Sequence, residues 1–297
     1  MSSREGQVRL GAFFNPTGHH VASWRHPDAQ ADAGINFQHY VEIANTAERG
    51  KFDMIFLADT LSVREASKEA LSRSAQYIAN MEPITLVSAL AAVTKHIGIV
   101  ATASTSYNEP YHIARKFASI DHISGGRAGW NLVTSALAAD AWNFSRDAHF
   151  EHDVRYDRAA EFAKIVTGLW DSWAEDAFIR NKETGIFLDP DKVRKLDHKG
   201  KWFSVRGPLN VPRSPQGRPV IVQAGGSSDM IAVAAQYAEV IFCAPQNLKQ
   251  GVEIYRAFKD ALGQYGRGFD DQKILPGLSC IVGDSDKEAK EKSDYLN

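Results

Sequence analysis

His19 and His20 stand side by side in a polar segment, NPTGHHVASWRHPDAQ, directly after a short apolar run. Adjacent histidines alone make no metal site, and no H-E-x-x-H spacing occurs, so no metal is expected. A histidine titrating near neutrality can instead pass a proton. Asp59 ends the apolar run of FDMIFLAD, where an acid is costly unless it lies at a mouth or is hydrogen-bonded; capping a following helix is the plain alternative. Asn131, behind Trp130, both donates and accepts, so it suits a bound polar ring or a hydrogen-bonded interior. Gly225-Gly226-Ser227-Ser228 lies between an apolar run and a helical one. Glycines there allow close approach while helix N–H groups and hydroxyls face an anion, although ordinary helix caps look the same. Thr102 and Ser104 are small polar residues where another apolar run ends. His112, His122, His149 and His152 have no ligand-like spacing and read as structural, and Arg155 and Arg158 as solvated helix residues.

The elements that must position these groups alternate. Apolar runs starting near residues 8, 52, 97, 127, 219, 238 and 274 read as seven strands, the last written ILPGLSCIVG. Between them lie helical periodicities over 37–51, 82–95, 110–122, 157–173, 229–237 and 248–264, each with apolar positions recurring at three and four. FDMIFLAD is nearly continuously hydrophobic, as a strand buried on both faces should be. Strand–helix alternation implies parallel strands with right-handed crossovers. A doubly wound sheet should carry G-x-G-x-x-G after its first strand, and the segment after Phe14 has none. Polar residues instead follow several strands: Asn15, Asp59, Ser104, Asn131 and Ser227. That is the pattern of a TIM (β/α)8 barrel. Residues 137–218 read as an insertion after strand four that roofs the barrel mouth. After Gly283 only a charged helical start remains, so the eighth strand is missing and the barrel is short of its C-terminal end. One domain, 1–297, is expected.

The chain has 297 residues, 44% of them hydrophobic, and a formal net charge of −2, with a pI near 6.6. That balance argues against a nucleic-acid or lipid surface as partner. No apolar run reaches membrane length, and the first residues lack a secretory core. A cytoplasmic location follows, in which Asn143-Phe-Ser145 means little as a glycosylation triplet. Cys243 and Cys280 both sit in apolar runs and are expected to be buried, unpaired thiols.

Several long stretches resemble one family: HVASWRHPDAQ at 20–30, FLADTL at 56–61, ATASTSYNEPYHIARKFASIDHISGG at 101–126, GRAGWNLVTS at 126–135 with Asn143-Phe144, LWDSW at 169–173, and RGPLNVPRSPQGRPVIVQAGGS at 206–227. The chain resembles the bacterial luciferase-like flavin-dependent monooxygenases, in the subgroup of the nitrilotriacetate, dibenzothiophene-sulfone and pristinamycin-synthesis enzymes. The resemblance spans essentially the whole chain, and family members are considerably longer.

What the resemblance implies is specific. The fold is a TIM barrel, and the cofactor is FMN, supplied as FMNH2 by a separate NAD(P)H-dependent flavin reductase. Dioxygen adds to the reduced flavin as a C4a-peroxide, and one oxygen atom enters a small organic substrate that contains sulfur or nitrogen or is an alkane. His19 matches a histidine beside the reacting face of the flavin, with His20 less certain. Asp59, Thr102, Ser104 and Asn131 match residues around the ring and ribityl chain. Gly225, Ser227, Ser228 and Tyr156 match the phosphate site. A homodimer or homotetramer is implied. Trp24 to Pro27 shape the entrance, and Phe14, Trp24, Tyr107 and Trp130 would give the mouth an aromatic lining. The alternatives are a deazaflavin-dependent oxidoreductase, a non-catalytic flavin-binding partner, and a plain barrel lyase or isomerase using Asp59 and His19 as an acid–base pair.

Overall fold

The computed structural model describes residues 7–297. Its chain order opens with β1 (Gly11–Phe14), α1 (Phe37–Arg49), β2 (Met54–Leu57), α2 (Lys68–Leu71), α3 (Pro83–Val93), β3 (Gly98–Ser104) and α4 (Pro110–Ser124). It continues through β4 (Ala128–Val133), α5 (Ala138–Trp142), α6 (His152–Trp170), and the hairpin strands β5 (His198–Lys199) and β6 (Ser204–Val205). The last elements are β7 (Val220–Ala224), α7 (Ser228–Tyr237), β8 (Val240–Cys243), α8 (Leu248–Leu262), β9 (Lys273–Pro276) and α9 (Asp286–Leu296).

Seven strands pair in parallel in the order β1-β2-β3-β4-β7-β8-β9, a nearly closed barrel. The seven expected strands are these seven. No eighth barrel strand occurs among the described residues. The two edges nonetheless face each other: a Cβ on Gly11 of β1 would lie 3.4 Å from the Leu275 side chain of β9.

Strand alternation sorts the core into two layers. Ile99, Ala101, Trp130, Leu132, Ile221 and Ile241 point outward under the helices. Phe56, Val100 and Val222 fill the bore with Phe13, Met54 and Val240. Phe242 of β8 meets Phe13 of β1 at 5.4 Å between ring centroids and Phe56 of β2 at 6.1 Å, so aromatic rings plug the bore beneath the mouth. Fully burying an apolar side chain of this size stabilises the fold by roughly 1.5–3 kcal/mol.

Helix ends follow local chemistry. Asn36 accepts from His39 N at 3.2 Å to start α1. Pro83 and Pro110 occupy first turns, where the absent N–H costs nothing. Gly125 and Gly126, at φ 67° and 90°, stop α4 and turn the chain into β4, a conformation that favours glycine.

Two expectations need correction. The last strand stops at Pro276, and residues 277–283 carry no regular structure, so Cys280 is exposed and only Cys243 is buried. The interval 137–218 divides. Residues 137–150 close against the mouth, whereas 171–218 run along the outside of α4 and α6 and do not roof it: Trp202 and Phe203 donate from their backbone to Glu161, Leu209 to Ser172, and Gln216 to Asp121. The charged stretch after Gly283 forms α9, which leans on the loop after β1 through His20 Nε2 and Asn297 Oδ1 at 3.3 Å.

Candidate active site at the barrel mouth

The C-terminal ends of the parallel strands converge on one mouth, as in other barrels of this kind. Thr102 and Asn131 occupy paired positions on β3 and β4 and face the bore. Asn131 Nδ2 donates to Thr102 Oγ1 at 2.8 Å, and Thr102 Oγ1 donates to Leu57 O at 2.7 Å. Asn131 Oδ1 is buried without a partner. An unpaired buried acceptor is costly, so this oxygen fits a ligand donor. Ser104 Oγ pairs with Ser135 Oγ at 2.7 Å, which ties the β3 and β4 ends together.

Asp59 follows β2 and does not cap a helix: α2 is capped by Ser67. Its carboxyl is pushed up to about 7 by burial, reinforced by the nearby charges of Glu82 and Asp140. Asp140, itself buried, accepts from Ser62 Oγ at 2.5 Å. That bond and Asn143 Nδ2 to Leu61 O at 2.9 Å draw the loop after β4 onto the loop after β2.

The two histidines diverge. His19 folds back over the bore, with Nε2 3.0 Å from Phe13 O and its ring edge-on to Phe13. A carbonyl only accepts, so Nε2 carries the hydrogen and Nδ1 of a neutral ring is left as an acceptor. His20 turns away, its Nδ1 accepting from Ala22 N and its Nε2 facing α9.

Across the mouth, Ser227 caps α7 by accepting from Met230 N at 3.4 Å. Gly225 adopts φ 131°, and a Cβ on Gly226 would meet nothing within 4 Å. Gly226 and its neighbours in the turn therefore border free space, with the Met230 N–H already taken by Ser227. Tyr156 joins them through His152, whose ring lies 4.9 Å from Tyr156 and whose Nδ1 is 3.2 Å from Asp229 Oδ2. The strand ends thus bring Asp59, Thr102, Ser104 and Asn131 to one mouth, with His19 above the bore and Gly225, Ser227, Ser228 and Tyr156 opposite.

Other expectations fail. Phe14 and Trp130 belong to the outer core and do not line the mouth; Trp130 donates to Ala103 O and packs on Trp170. Arg155 and Arg158 are half-buried, not solvated, donating to Ser135 O and Thr105 O respectively. His149 bonds both Tyr107 OH and Arg155. Among the described residues no cluster of three metal-binding side chains occurs, and no helix is long and apolar enough to cross a membrane.

The family model described as luciferase-like monooxygenase matches residues 17–297. N-acetyl-S-(2-succino)cysteine monooxygenase of Bacillus subtilis (strain 168) is 55% identical over 98% of this chain and 65% of its own length. Nitrilotriacetate monooxygenase component A of Aminobacter aminovorans is 48% identical over 98% of the chain and 66% of its own length. The chain therefore spans just under two thirds of these relatives. The crystal structure of a long-chain alkane monooxygenase superposes with TM-score 0.92 at 37% identity, over 98% of this chain and 68% of that one.

Proposed function

Because the chain belongs to the luciferase-like monooxygenase family, we propose that it binds reduced FMN at its barrel mouth and inserts one atom of dioxygen into a small organic substrate. Substrate, dioxygen and FMNH2 are converted to oxygenated substrate, water and FMN. The named relatives supporting this reading are monooxygenases acting on a succinylated cysteine, nitrilotriacetate and dibenzothiophene sulfone. The name "component A" of one relative supports a second component, here a separate NAD(P)H-dependent flavin reductase. A cytoplasmic homodimer or homotetramer completes the proposal.

The observation that carries it is the orphaned acceptor Asn131 Oδ1 in the bore, on the same mouth as the open turn before α7. FMN offers a ring N–H donor at one end and a phosphate on its ribityl chain at the other, and the two protein features match them in kind. When bound, reduced flavin supplies the two electrons and the oxygen activation. The protein's own groups do the rest. Asn131 accepts from the ring edge while Thr102 and Ser104 line its approach. Asp59 stands beside the ring with a carboxyl that is about half ionised near neutrality. Ser227, Ser228, Gly225 and Tyr156 hold the phosphate through helix N–H groups and hydroxyls. His19 Nδ1 accepts or returns a proton at the reacting face, and the loop after β4 limits water.

The test is anaerobic titration of the chain with reduced FMN, followed by isotopically labelled dioxygen and a thioether acid. Micromolar or tighter binding with one labelled oxygen in the product is expected. Retention of a deazaflavin in place of FMN, or no flavin binding, overturns the reading.

A further inference from the structure

Beside the expected flavin mouth, on its β3–β4 side, three arginines gather around one tyrosine. Tyr107 follows β3 and stacks on Phe144 at 4.8 Å between centroids, with Phe150 at 6.2 Å. Arg146 lies over the Phe150 ring at 3.8 Å and Arg158 approaches the same ring at 5.5 Å. Arg155 Nη1 is 3.2 Å from His149 Nε2. Its Nε is buried and unpartnered. Among the described residues arginine–carboxylate pairs form at Arg9, Arg73, Arg206, Arg213 and Arg218, and none forms at these three. Of the nearby acids, Asp140 is held by Ser62, and Glu161 by His198 and the Trp202 and Phe203 N–H groups, while the exposed Glu109 acts on Arg158 only through space, without an ion pair.

Tyr107 OH and His149 Nδ1 share one hydrogen, and His149 Nε2 stands beside Arg155 Nη1 and the Ser135 carbonyl, so a neutral ring serves the pair in either tautomer. Burial lowers the His149 pKa, with Arg155 adding to that effect, consistent with this neutral ring. The Tyr107–His149 pair thus stands amid guanidinium charge that no acid directly pairs. Half-buried Arg155 and Arg158, with Arg146 at the surface beside them, call for an anion.

We propose that Tyr107, His149, Arg146, Arg155 and Arg158 form a carboxylate subsite, and that the substrate is a small polycarboxylic acid and not a neutral hydrocarbon or sulfone. The inference rests on the monooxygenase reading only in calling the bound acid a substrate. A flavin phosphate is the other source of anionic oxygens, and the fold separates the two. On α6, His152 and Tyr156 turn toward Asp229 and the start of α7, whereas Arg155 and Arg158 turn to Ser135 and Thr105 behind β4 and β3.

The experiment uses the 297-residue chain without flavin, titrated calorimetrically with N-acetyl-S-(2-succino)cysteine and with its neutral triester; FMN is titrated separately. The acid should bind at least about tenfold more tightly than the ester. Arg146→Gln, on the surface, and Tyr107→Phe, which removes only the hydroxyl, should each weaken acid binding by about tenfold, equivalent to about 1.4 kcal/mol, with FMN affinity within twofold of the parent. Loss of FMN affinity with acid binding unchanged would reassign the cluster to the flavin phosphate and overturn the proposal. Equal affinities in parent and variants would leave the arginines a purely architectural role and also overturn it. Because acid and flavin are titrated apart, failure of FMN binding alone sinks the flavin reading and not the carboxylate subsite.

Discussion

Asn131 Nδ2 donates to Thr102 Oγ1 at 2.8 Å across the β3–β4 pair, and this one bond fixes which end of the amide faces the bore. With the nitrogen committed, Oδ1 is left for whatever fills the mouth, and no polar group among the described residues pairs with it. Asn131→Leu keeps the side-chain size and leaves Thr102 bonded to Leu57 O. It should weaken FMN binding by about tenfold, the effect of one buried hydrogen bond, while stability falls by about 1 kcal/mol. Fluorescence titration of FMN with the variant checks this, and an unchanged Kd would remove Asn131 from the ring site.

Asp59 predicts a pH signature. Its carboxyl is pushed up to about 7, well above the usual aspartate range, by burial and by the charges of Glu82 and Asp140. The folded state therefore holds a proton that the unfolded chain has released. The stability tied to that proton is fully present below pH 4 and is lost as pH rises through about 7. Asp59→Asn should match the parent at pH 4 and exceed it at pH 8, by about 1–2 kcal/mol after allowance for solvent screening. Chemical denaturation at the two pH values decides it. A variant less stable than the parent at pH 8 would show that the ionised carboxylate is wanted by the fold.

His19 offers a separation of binding from chemistry. Among the described residues its side-chain hydrogen bond and its ring contact are both with Phe13, so its removal should leave the other site residues in place. His19→Ala should leave FMN affinity within a few-fold and remove most product formation, a loss of about 10²–10⁴ if it handles a proton in the reaction. His20→Ala should do neither, since His20 faces Ala22 and Asn297. Turnover retained by His19→Ala and lost by His20→Ala would reverse the assignment.

The barrel was legible in the chain because parallel strands are read by long apolar runs and their crossovers by 3.6-residue periodicity. Every barrel strand and major helix falls where those signals place it. Two kinds of feature escaped. Face assignment within a strand turns on a single residue: Trp130 and Asn131 are neighbours, yet the pleat sends the indole outward to Trp170 and the amide inward to Thr102. Constellations assembled from separate segments escaped as well. Tyr107, His149 and Arg155 come from two loops and a helix start, and nothing in their spacing announces that they meet. The path of residues 171–218 was hidden for the same reason, being set by Glu161 and Asp121 on helices already passed and by Ser172 just beyond α6. Asp59 and the Gly225–Ser228 turn were visible because a polar residue closing an apolar run is a local anomaly.

Ser228 separates the phosphate site from helix stability, because the two respond with opposite sign. Ser227 already caps α7 through Met230 N, so Ser228 is free of that duty. Ser228→Asp places a second carboxylate beside Asp229 in the first turn. A negative charge there favours the helix dipole by about 0.3–1 kcal/mol, and the melting temperature should hold or rise slightly. A phosphate seated on the same N–H groups meets a like charge, worth about 1–4 kcal/mol at contact distances for effective dielectrics between water and protein surface. FMN binding should weaken by about fivefold or more and recover in part at high salt. Riboflavin, which lacks the phosphate, should bind parent and variant alike. If FMN and riboflavin both keep their affinity, the phosphate lies elsewhere; if both lose it equally, the substitution has disturbed the mouth and not the anion site.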